Sequence, residues 1–147
     1  MMDWQLPDPH IEIWQITDSH IDHYGHANNV AYIAQQELVA WAHSNALGLS
    51  MDDYHALDRA MVVQSHQVKY IQPCNLNDQV HCATWITECK NKLTLTRNFQ
   101  YICSRRKTTV YEAQTVFVCI KLSSGKPIRM PPRFWDVYSR AHVGVKA

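Results

Sequence analysis

The sequence has little glycine and proline, 4 and 6 in 147 residues, and only 18% of its residues are charged. These values exclude collagen-like and low-complexity chains. The apolar fraction of 46% and the aromatic fraction of 10% argue against intrinsic disorder. No apolar run approaches the roughly 18 residues that a membrane-spanning helix needs, so we expect no membrane partner. The first residues lack a basic segment followed by an apolar one, so we expect no signal peptide and a cytoplasmic protein.

The five cysteines are odd in number and form no CxxC pair. Most of them lie inside apolar stretches, where an unbonded cysteine behaves as a small hydrophobic residue. We therefore expect neither a disulfide scaffold nor a structural zinc site.

Basic residues are absent from the first part of the chain. Residues 1–58 contain nine acidic residues and no Lys or Arg, whereas residues 59–147 contain all 14 basic residues and four acidic ones. The two parts carry formal charges of −9 and +10, although the net charge is +1. Either the parts interleave and neutralise each other, or the second forms a basic surface for an anionic ligand. Nucleic acid is a poor candidate, because exposed aromatics are not interleaved with the basic residues.

The order of predicted elements indicates an α+β fold in one domain, residues 1–147. A strand at 11–17 precedes a long helix at 29–47, and strands follow at about 61–72, 79–91, 93–106 and 110–122, before a short helix at 133–141. The connector 49–58 has room for one helical turn. One sheet and one long helix leave apolar sheet surface uncovered, so we expect an oligomer.

The sequence predicts where the long helix begins and ends, and which face of this helix and of one strand is buried. The helix has Asn28 as its N-cap and Gly48 just after its end. Its predicted apolar stripe comprises Val30, Ala34, Leu38, Trp41, Ala42 and Asn45. In the strand at 93–106, one face carries Leu93, Leu95, Phe99, Tyr101 and Cys103, with Arg97 in the same register.

The polar loop before the long helix is the candidate for chemistry. It contains Asp18, His20, Asp22, His23, Tyr24, Gly25, His26, Asn28 and Asn29. A helix N-terminus presents unpaired N–H groups that suit a developing oxyanion, and a nearby carboxylate can act as nucleophile or general base. The histidines and Asp22 also suggest a metal site, but Gly25 and the loop context argue against helical ligand spacing, and we predict no metal.

This segment resembles the D-x-x-G-H-x-N-N-x-x-Y-x(4)-E signature of hotdog-fold acyl-CoA thioesterases, in the 4-hydroxybenzoyl-CoA thioesterase-like branch. The matching residues are 22–32 (DHYGHANNVAY), followed by Glu37. Residues 68–73 (VKYIQP) with Asp78, and residues 124–131 (SGKPIRMP), are similar to two later motifs of that family. The resemblance implies a long central helix wrapped by a curved antiparallel sheet.

The resemblance also implies roles for individual residues. Asp22 matches the catalytic carboxylate, and the N–H of Asn29 matches the group that polarises the thioester carbonyl. Gly25 and His26 match the turn that positions the carboxylate. The predicted substrate-binding residues are Tyr24, Asn28, Tyr32, Glu37, Arg59, Lys69, Arg105 and Arg106.

The implied reaction is hydrolysis of an acyl-CoA to free acid and CoA, with no cofactor, in a homodimer or homotetramer. Basic residues at the tip formed by Arg105 and Arg106 are either a solvated turn or contacts to the CoA phosphates. Two alternatives remain: a thioesterase that takes acyl groups from an acyl carrier protein, and a hotdog protein that binds an acyl ligand or a partner without turnover.

Overall fold

The computed structural model describes residues 2–144, which form five β-strands, three α-helices and a 3-10 turn at Asp18–His20. The elements are β1 (His10–Gln15), α1 (Asn29–Ala46), α2 (Met51–Ala56), β2 (Arg59–Tyr70), β3 (Gln79–Lys90), β4 (Thr94–Cys103), β5 (Thr108–Lys121) and α3 (Pro132–Arg140). Each predicted strand and helix is present, with boundaries within three residues of those predicted. The helical turn expected in the connector is α2.

The five strands form one antiparallel sheet in the order β1-β3-β4-β5-β2. Short turns connect β3 to β4 and β4 to β5, as an antiparallel meander requires. The register shifts by one residue between Val63 and Ser65 in β2 and between Ile86 and Glu88 in β3. The predicted α+β class is confirmed, and β1 and β2 are the two edges of the sheet.

Helix α1 begins and ends where the sequence predicts. The Asn28 side chain accepts a hydrogen bond from the Ala31 N–H at 2.9 Å, and Gly48 follows the helix with a φ of +95°. A left-handed φ of this kind at the end of a helix favours glycine, because a Cβ would be strained there.

The predicted apolar stripe of α1 is wrong. Val30 and Leu38 are 74% and 65% exposed in the single chain. The face that packs on the sheet is mostly polar and comprises Tyr32, Gln35, Gln36, Val39 and Ser44. A polar face can be buried here because its groups find partners inside the protein. For example, the Gln36 side chain donates to the Thr115 hydroxyl at 3.2 Å and accepts from the Tyr111 hydroxyl.

Two apolar clusters form the core. One surrounds the start of α1 and includes Trp14, Tyr32, Tyr101 and Tyr111. The second includes Leu49, Tyr54, Ile86, Phe134 and Tyr138, and therefore joins α2, α3 and the sheet. All five cysteines are unbonded thiols, and four of them are buried.

The segment before β1 covers part of the outer face of the sheet. The indole N–H of Trp85 donates to the Pro7 carbonyl at 2.9 Å, and the Gln5 N–H donates to the Gln100 side chain at 2.9 Å. This cover explains how Gln100 comes to be buried. No helix within residues 2–144 is both long and apolar enough to cross a membrane.

Candidate active site

The loop before α1 folds back on itself. Ile21 and Ala27 form an isolated antiparallel bridge, and the Asp22 N–H donates to the His26 carbonyl at 2.9 Å. The Gly25 N–H closes the turn by donating to the Asp22 carbonyl at 3.0 Å, and Gly25 has a φ of +81°. These hydrogen bonds place Asp22 beside the segment that leads into α1.

The Asp22 carboxylate is hydrogen-bonded through one of its two oxygens. Its Oδ1 accepts a hydrogen bond from the Tyr24 N–H at 2.9 Å, which leaves the other carboxylate oxygen with no partner among the described residues. Asp22 is partly buried, whereas Tyr24 is 75% exposed and His26 is also exposed. The carboxylate is therefore fixed in position yet accessible to a ligand.

Asn28 fixes the start of α1 against the same loop. Its main-chain N–H and its side-chain amide donate to the His20 carbonyl at 2.8 and 3.0 Å, while its Oδ1 caps Ala31. The N–H groups of Asn29 and Val30 have no partner among the described residues, and both residues are exposed. Two oriented N–H donors and the positive end of the helix dipole thus lie at the end of the loop that holds Asp22.

Tyr32 packs in the core instead of facing a ligand. It is 3% exposed, and its hydroxyl accepts a hydrogen bond from the Cys74 N–H at 3.1 Å, so burial raises the pKa of Tyr32. Tyr70 stands beside it, and its hydroxyl donates to the Asn29 carbonyl at 3.0 Å. These tyrosines support the first turn of α1.

A cavity of about 350 Å³ lies between α1 and the strands β2, β4 and β5. Glu37 is exposed and lines this cavity, together with Ile33 one helical turn nearer to the Asn29 end. Arg97 and Ser44 line its inner end. The walls are mainly apolar, with contributions from Met61, Val62, Val63, Leu95, Phe99 and Phe117.

Only some of the basic residues that are predicted to bind CoA lie near the loop that holds Asp22. Arg106 donates to the Pro73 carbonyl at 2.7 Å, next to Cys74, whose carbonyl accepts from the Ala27 N–H. Arg105 binds Asp78 at 3.1 Å and keeps 61% of its side chain exposed. The turn that carries both arginines therefore lies beside the loop that holds Asp22.

The two other basic candidates lie on β2. Lys69 is exposed and pairs in register with Glu112, near the end of β2 that meets Asn29 through Tyr70. Arg59 lies at the other end of β2, about 36 Å from Tyr70 along the strand. Arg59 donates to the Leu57 carbonyl at 3.0 Å. Arg59 is therefore far from the Asp22 loop of its own chain, and its predicted contact with CoA stays a prediction.

Sequence reasoning missed the arginine at the inner end of the cavity. The signal was present, since Arg97 occupies a position in β4 whose neighbours on the same face are apolar. No group of three or more His, Cys, Asp or Glu side chains within residues 2–144 is arranged to hold a metal ion.

The geometry suits addition to an activated carbonyl. A carboxylate and a pair of helix N–H donors lie at the same end of α1, and a mainly apolar cavity follows the helix from there. No functionally curated protein is significantly similar in sequence.

Solved structures with similar folds include several thioesterases. A DHNA-CoA thioesterase from Staphylococcus aureus is 21% identical, with a TM-score of 0.82 over 90% of this chain and 89% of that one. A 1,4-dihydroxy-2-naphthoyl-CoA thioesterase from Synechocystis is 15% identical, with a TM-score of 0.81 over 90% and 96%. A hypothetical protein from S. aureus, solved in complex with CoA, is 14% identical, with a TM-score of 0.85 over 99% and 92%.

The sequence profile of the thioesterase-like superfamily matches residues 16–137, which include the loop, all of α1 and strands β2 to β5. The match bears out the hotdog fold and the enzyme class, a thioesterase, that the motifs predict. The chain belongs to the thioesterase-like superfamily.

Proposed function

We propose that the protein hydrolyses an acyl-CoA thioester to the free acid and CoA. One observation carries the proposal: the turn that holds Asp22 is bonded to the segment that enters α1, and the N–H groups of Asn29 and Val30 at the start of that helix have no partner within residues 2–144. The CoA thioesterases among the structural neighbours, and the neighbour solved with CoA, support the choice of substrate.

In this mechanism the thioester carbonyl oxygen accepts a hydrogen bond from the Asn29 N–H. Negative charge that develops on this oxygen is stabilised by the donor and by the helix dipole. Asp22 either removes a proton from the attacking water or attacks the carbonyl carbon itself. In the second route the acyl-aspartyl anhydride is then cleaved by water. In both routes the C–S bond breaks, and CoA leaves as a thiol.

Gly25 and His26 act on the position of Asp22. The Asp22 N–H is bonded to the His26 carbonyl, and the Asp22 carbonyl is bonded to the Gly25 N–H. The peptide groups on both sides of Asp22 are therefore fixed, and the carboxylate needs little reorganisation to reach the carbonyl carbon. Tyr24 contributes its main-chain N–H and an exposed ring at the entrance.

The CoA phosphates are proposed to lie on Arg105, Arg106 and Lys69. These residues surround the loop end of the sheet, and the exposed part of Arg105 is available to a phosphate oxygen. The acyl group enters the cavity along α1, past Glu37. The substrate would thus cross the edge of the sheet near Tyr70, where a second copy of the chain could complete the site.

The test replaces Asp22 by Asn, which removes the charge but keeps an oxygen that can accept from the Tyr24 N–H. Release of CoA from a panel of acyl-CoAs is followed with a thiol-trapping reagent. We expect kcat to fall by at least about 100-fold, because a general base or nucleophile is lost. Asp18→Asn is the matched control, since Asp18 lies in the same acidic stretch and makes no side-chain hydrogen bond among the described residues.

Three results would contradict the proposal. Full activity of the Asp22→Asn variant would remove the carboxylate from the reaction. No CoA release from any member of the panel would favour the ligand-binding alternative. Faster release from acyl carrier protein than from CoA would favour the protein-bound substrate. Single-turnover reaction in oxygen-18 water then separates the two routes, because only the anhydride route places label in Asp22.

A further inference from the structure

Arg97 is a fully buried cation at the inner end of the cavity. Its side chain projects from β4 toward α1, and the residue is 2% exposed. Burial lowers the pKa of Arg97 from its usual value. An arginine side chain nevertheless stays protonated at neutral pH in proteins. Moving such a charge out of water is costly unless an anion compensates it.

No anion of the described chain compensates Arg97. Its guanidinium donates to the His43 Nδ1 at 2.7 Å and to the Ser44 hydroxyl at 2.8 Å, and it lies over the Tyr138 ring at 5.9 Å. All three partners are neutral. Burial and the adjacent Arg97 charge lower the pKa of His43 to about 3, so this imidazole accepts a hydrogen bond without carrying charge. Among residues 2–144, no Asp or Glu forms an ion pair with Arg97.

Two acidic side chains in the surroundings of the cavity do not reach Arg97. Glu12 binds His10 at 2.7 Å, and the His10 ring stacks on His43, so two imidazole rings separate this carboxylate from the guanidinium. Glu37 lines the same cavity but lies seven residues before Ser44 on α1, about 10 Å along the helix axis. Neither carboxylate satisfies Arg97.

The cavity extends from this cation along α1 toward the helix end that carries the proposed reaction centre. Its lining begins at Ile33, about 6 Å along α1 from Asn29, and ends at Ser44, about 22 Å from Asn29. Between these ends the walls are mainly apolar. A ligand that fits both ends therefore has a reactive carbonyl at Asn29, an apolar middle part and an anionic group at Arg97.

We propose that the preferred substrate is an acyl-CoA whose acyl chain ends in a carboxylate, and that Arg97 binds this carboxylate. The inference rests on the proposed function and adds the substrate class. The carboxylate would accept hydrogen bonds from the planar guanidinium, a geometry that suits arginine. Ser44 and His43 hold the guanidinium in place, while the hydroxyl groups of Tyr54 and Tyr138, which contact each other, lie at the same inner end of the cavity.

The experiment compares pairs of acyl-CoAs that have the same number of carbons but end in either a methyl or a carboxylate group. Pairs of increasing length are tested, and kcat/KM is measured for each member. At lengths that reach Arg97, we expect the carboxylate member to be preferred by at least about 30-fold, which corresponds to about 2 kcal/mol. Shorter pairs should favour the methyl member, because a carboxylate would then be buried without a partner.

The variant Arg97→Met keeps the bulk of the side chain and removes its charge. It should lose the preference through a lower kcat/KM for the carboxylate member, whereas activity on the methyl member is retained or increased. Arg140→Met is the control, since Arg140 is exposed on α3 and does not line the cavity. The wild-type ratio alone still decides the question if the Arg97 variant does not fold.

The outcomes separate this inference from the proposed function. Hydrolysis of methyl members without a preference for carboxylate members at any length overturns the inference and leaves the function intact. A preference that survives in Arg97→Met also overturns it. If no acyl-CoA is hydrolysed, the proposed function fails and the substrate class fails with it, and thermal shifts with free long-chain acids then test only whether Arg97 binds a carboxylate. A shift that is lost in Arg97→Met supports this binding, and a shift of equal size in the wild type and in Arg97→Met overturns it.

Discussion

Asp22 owes its position to main-chain hydrogen bonds more than to side-chain packing. Its N–H, its carbonyl and one carboxylate oxygen are each bonded within a turn of five residues. Asn28 then ties the turn to α1 through the His20 carbonyl and the Ala31 N–H. Substitutions that change the backbone of this turn should therefore affect catalysis as strongly as changes of the surrounding side chains.

Gly25→Ala tests this dependence. An added Cβ at Gly25 would meet no atom within 4 Å, so the cost comes from the φ of +81° alone. We expect a loss of about 1–2 kcal/mol in the free energy of unfolding. We also expect a lower kcat with little change in KM, since the added Cβ would strain the turn that presents Asp22. Urea unfolding and steady-state kinetics measure both effects.

Gly144→Ala is the matched control, because Gly144 also has open space around its Cβ position but not a left-handed φ. Its effect should stay within about 0.5 kcal/mol, the usual range for surface changes. If Gly25→Ala were as stable and as active as Gly144→Ala, the backbone of the turn would not determine the position of Asp22.

The residues that the sequence predicts well are those set by local bonding. Asn28 and Gly48 follow from capping rules, and the turn at Gly25 follows from a motif that is contiguous in sequence. The Tyr32 hydroxyl and the Arg97 guanidinium have hydrogen-bond partners 42 and 54 positions away in the sequence. No local rule supplies such partners, so the sequence shows that Arg97 lies on an apolar face but not that its partners there are neutral.

Helix α1 is an element whose buried face is not predicted by the spacing of its apolar residues. Val30 and Leu38 have the spacing of a core stripe, yet they are exposed, while Gln35 and Gln36 are buried. A helix that lines a cavity beside a tyrosine-rich sheet can bury amides that are hydrogen-bonded. The strands are easier to predict than the buried face of α1, because β4 and its neighbours are long and connected by short turns.

Strand β2 is an edge of the sheet that the single chain leaves uncovered. It is 12 residues long, pairs with β5 alone within residues 2–144, and exposes Val63 and Tyr70 by 49% and 41%. A long exposed edge is a template for pairing with another strand. We expect β2 to pair with a second copy of the chain, which would give the homodimer implied by the family resemblance.

Hydrogen exchange measures this pairing. In a single chain, the N–H groups of β2 that point away from β5 exchange rapidly, whereas pairing protects them. We expect protection of β2 at high protein concentration and loss of protection on dilution, with a mass of two or four chains by light scattering. Strand β1 is the internal control, since it is the other edge of the same sheet. Equal, fast exchange of both edges at all concentrations would exclude pairing through β2.

Across the whole molecule, the separation of charge along the sequence becomes partly a separation in space. The loop that holds Asp22 belongs to the part of the chain without Lys or Arg, so its surroundings alone would repel CoA phosphates. Arg106 brings basic charge back to this loop through its bond to the Pro73 carbonyl, and Arg105 accompanies it. The interpretation that the two parts neutralise each other is supported by Arg133, which binds Asp53 of the acidic part at 2.8 Å. The basic surface for an anionic ligand stays a prediction.

Ionic strength distinguishes a basic surface that binds CoA from one that is only solvated. Raising the salt concentration from about 0.1 M to about 1 M shortens the screening length from about 10 Å to about 3 Å. We expect KM for an acyl-CoA to rise severalfold, because contacts between phosphates and the side chains of Arg105, Arg106 and Lys69 are weakened. The same acyl group on N-acetylcysteamine, which lacks phosphates, should show little change in KM. If KM rose equally for both substrates, the arginines would only stabilise their own turn, and CoA would be bound through its uncharged part.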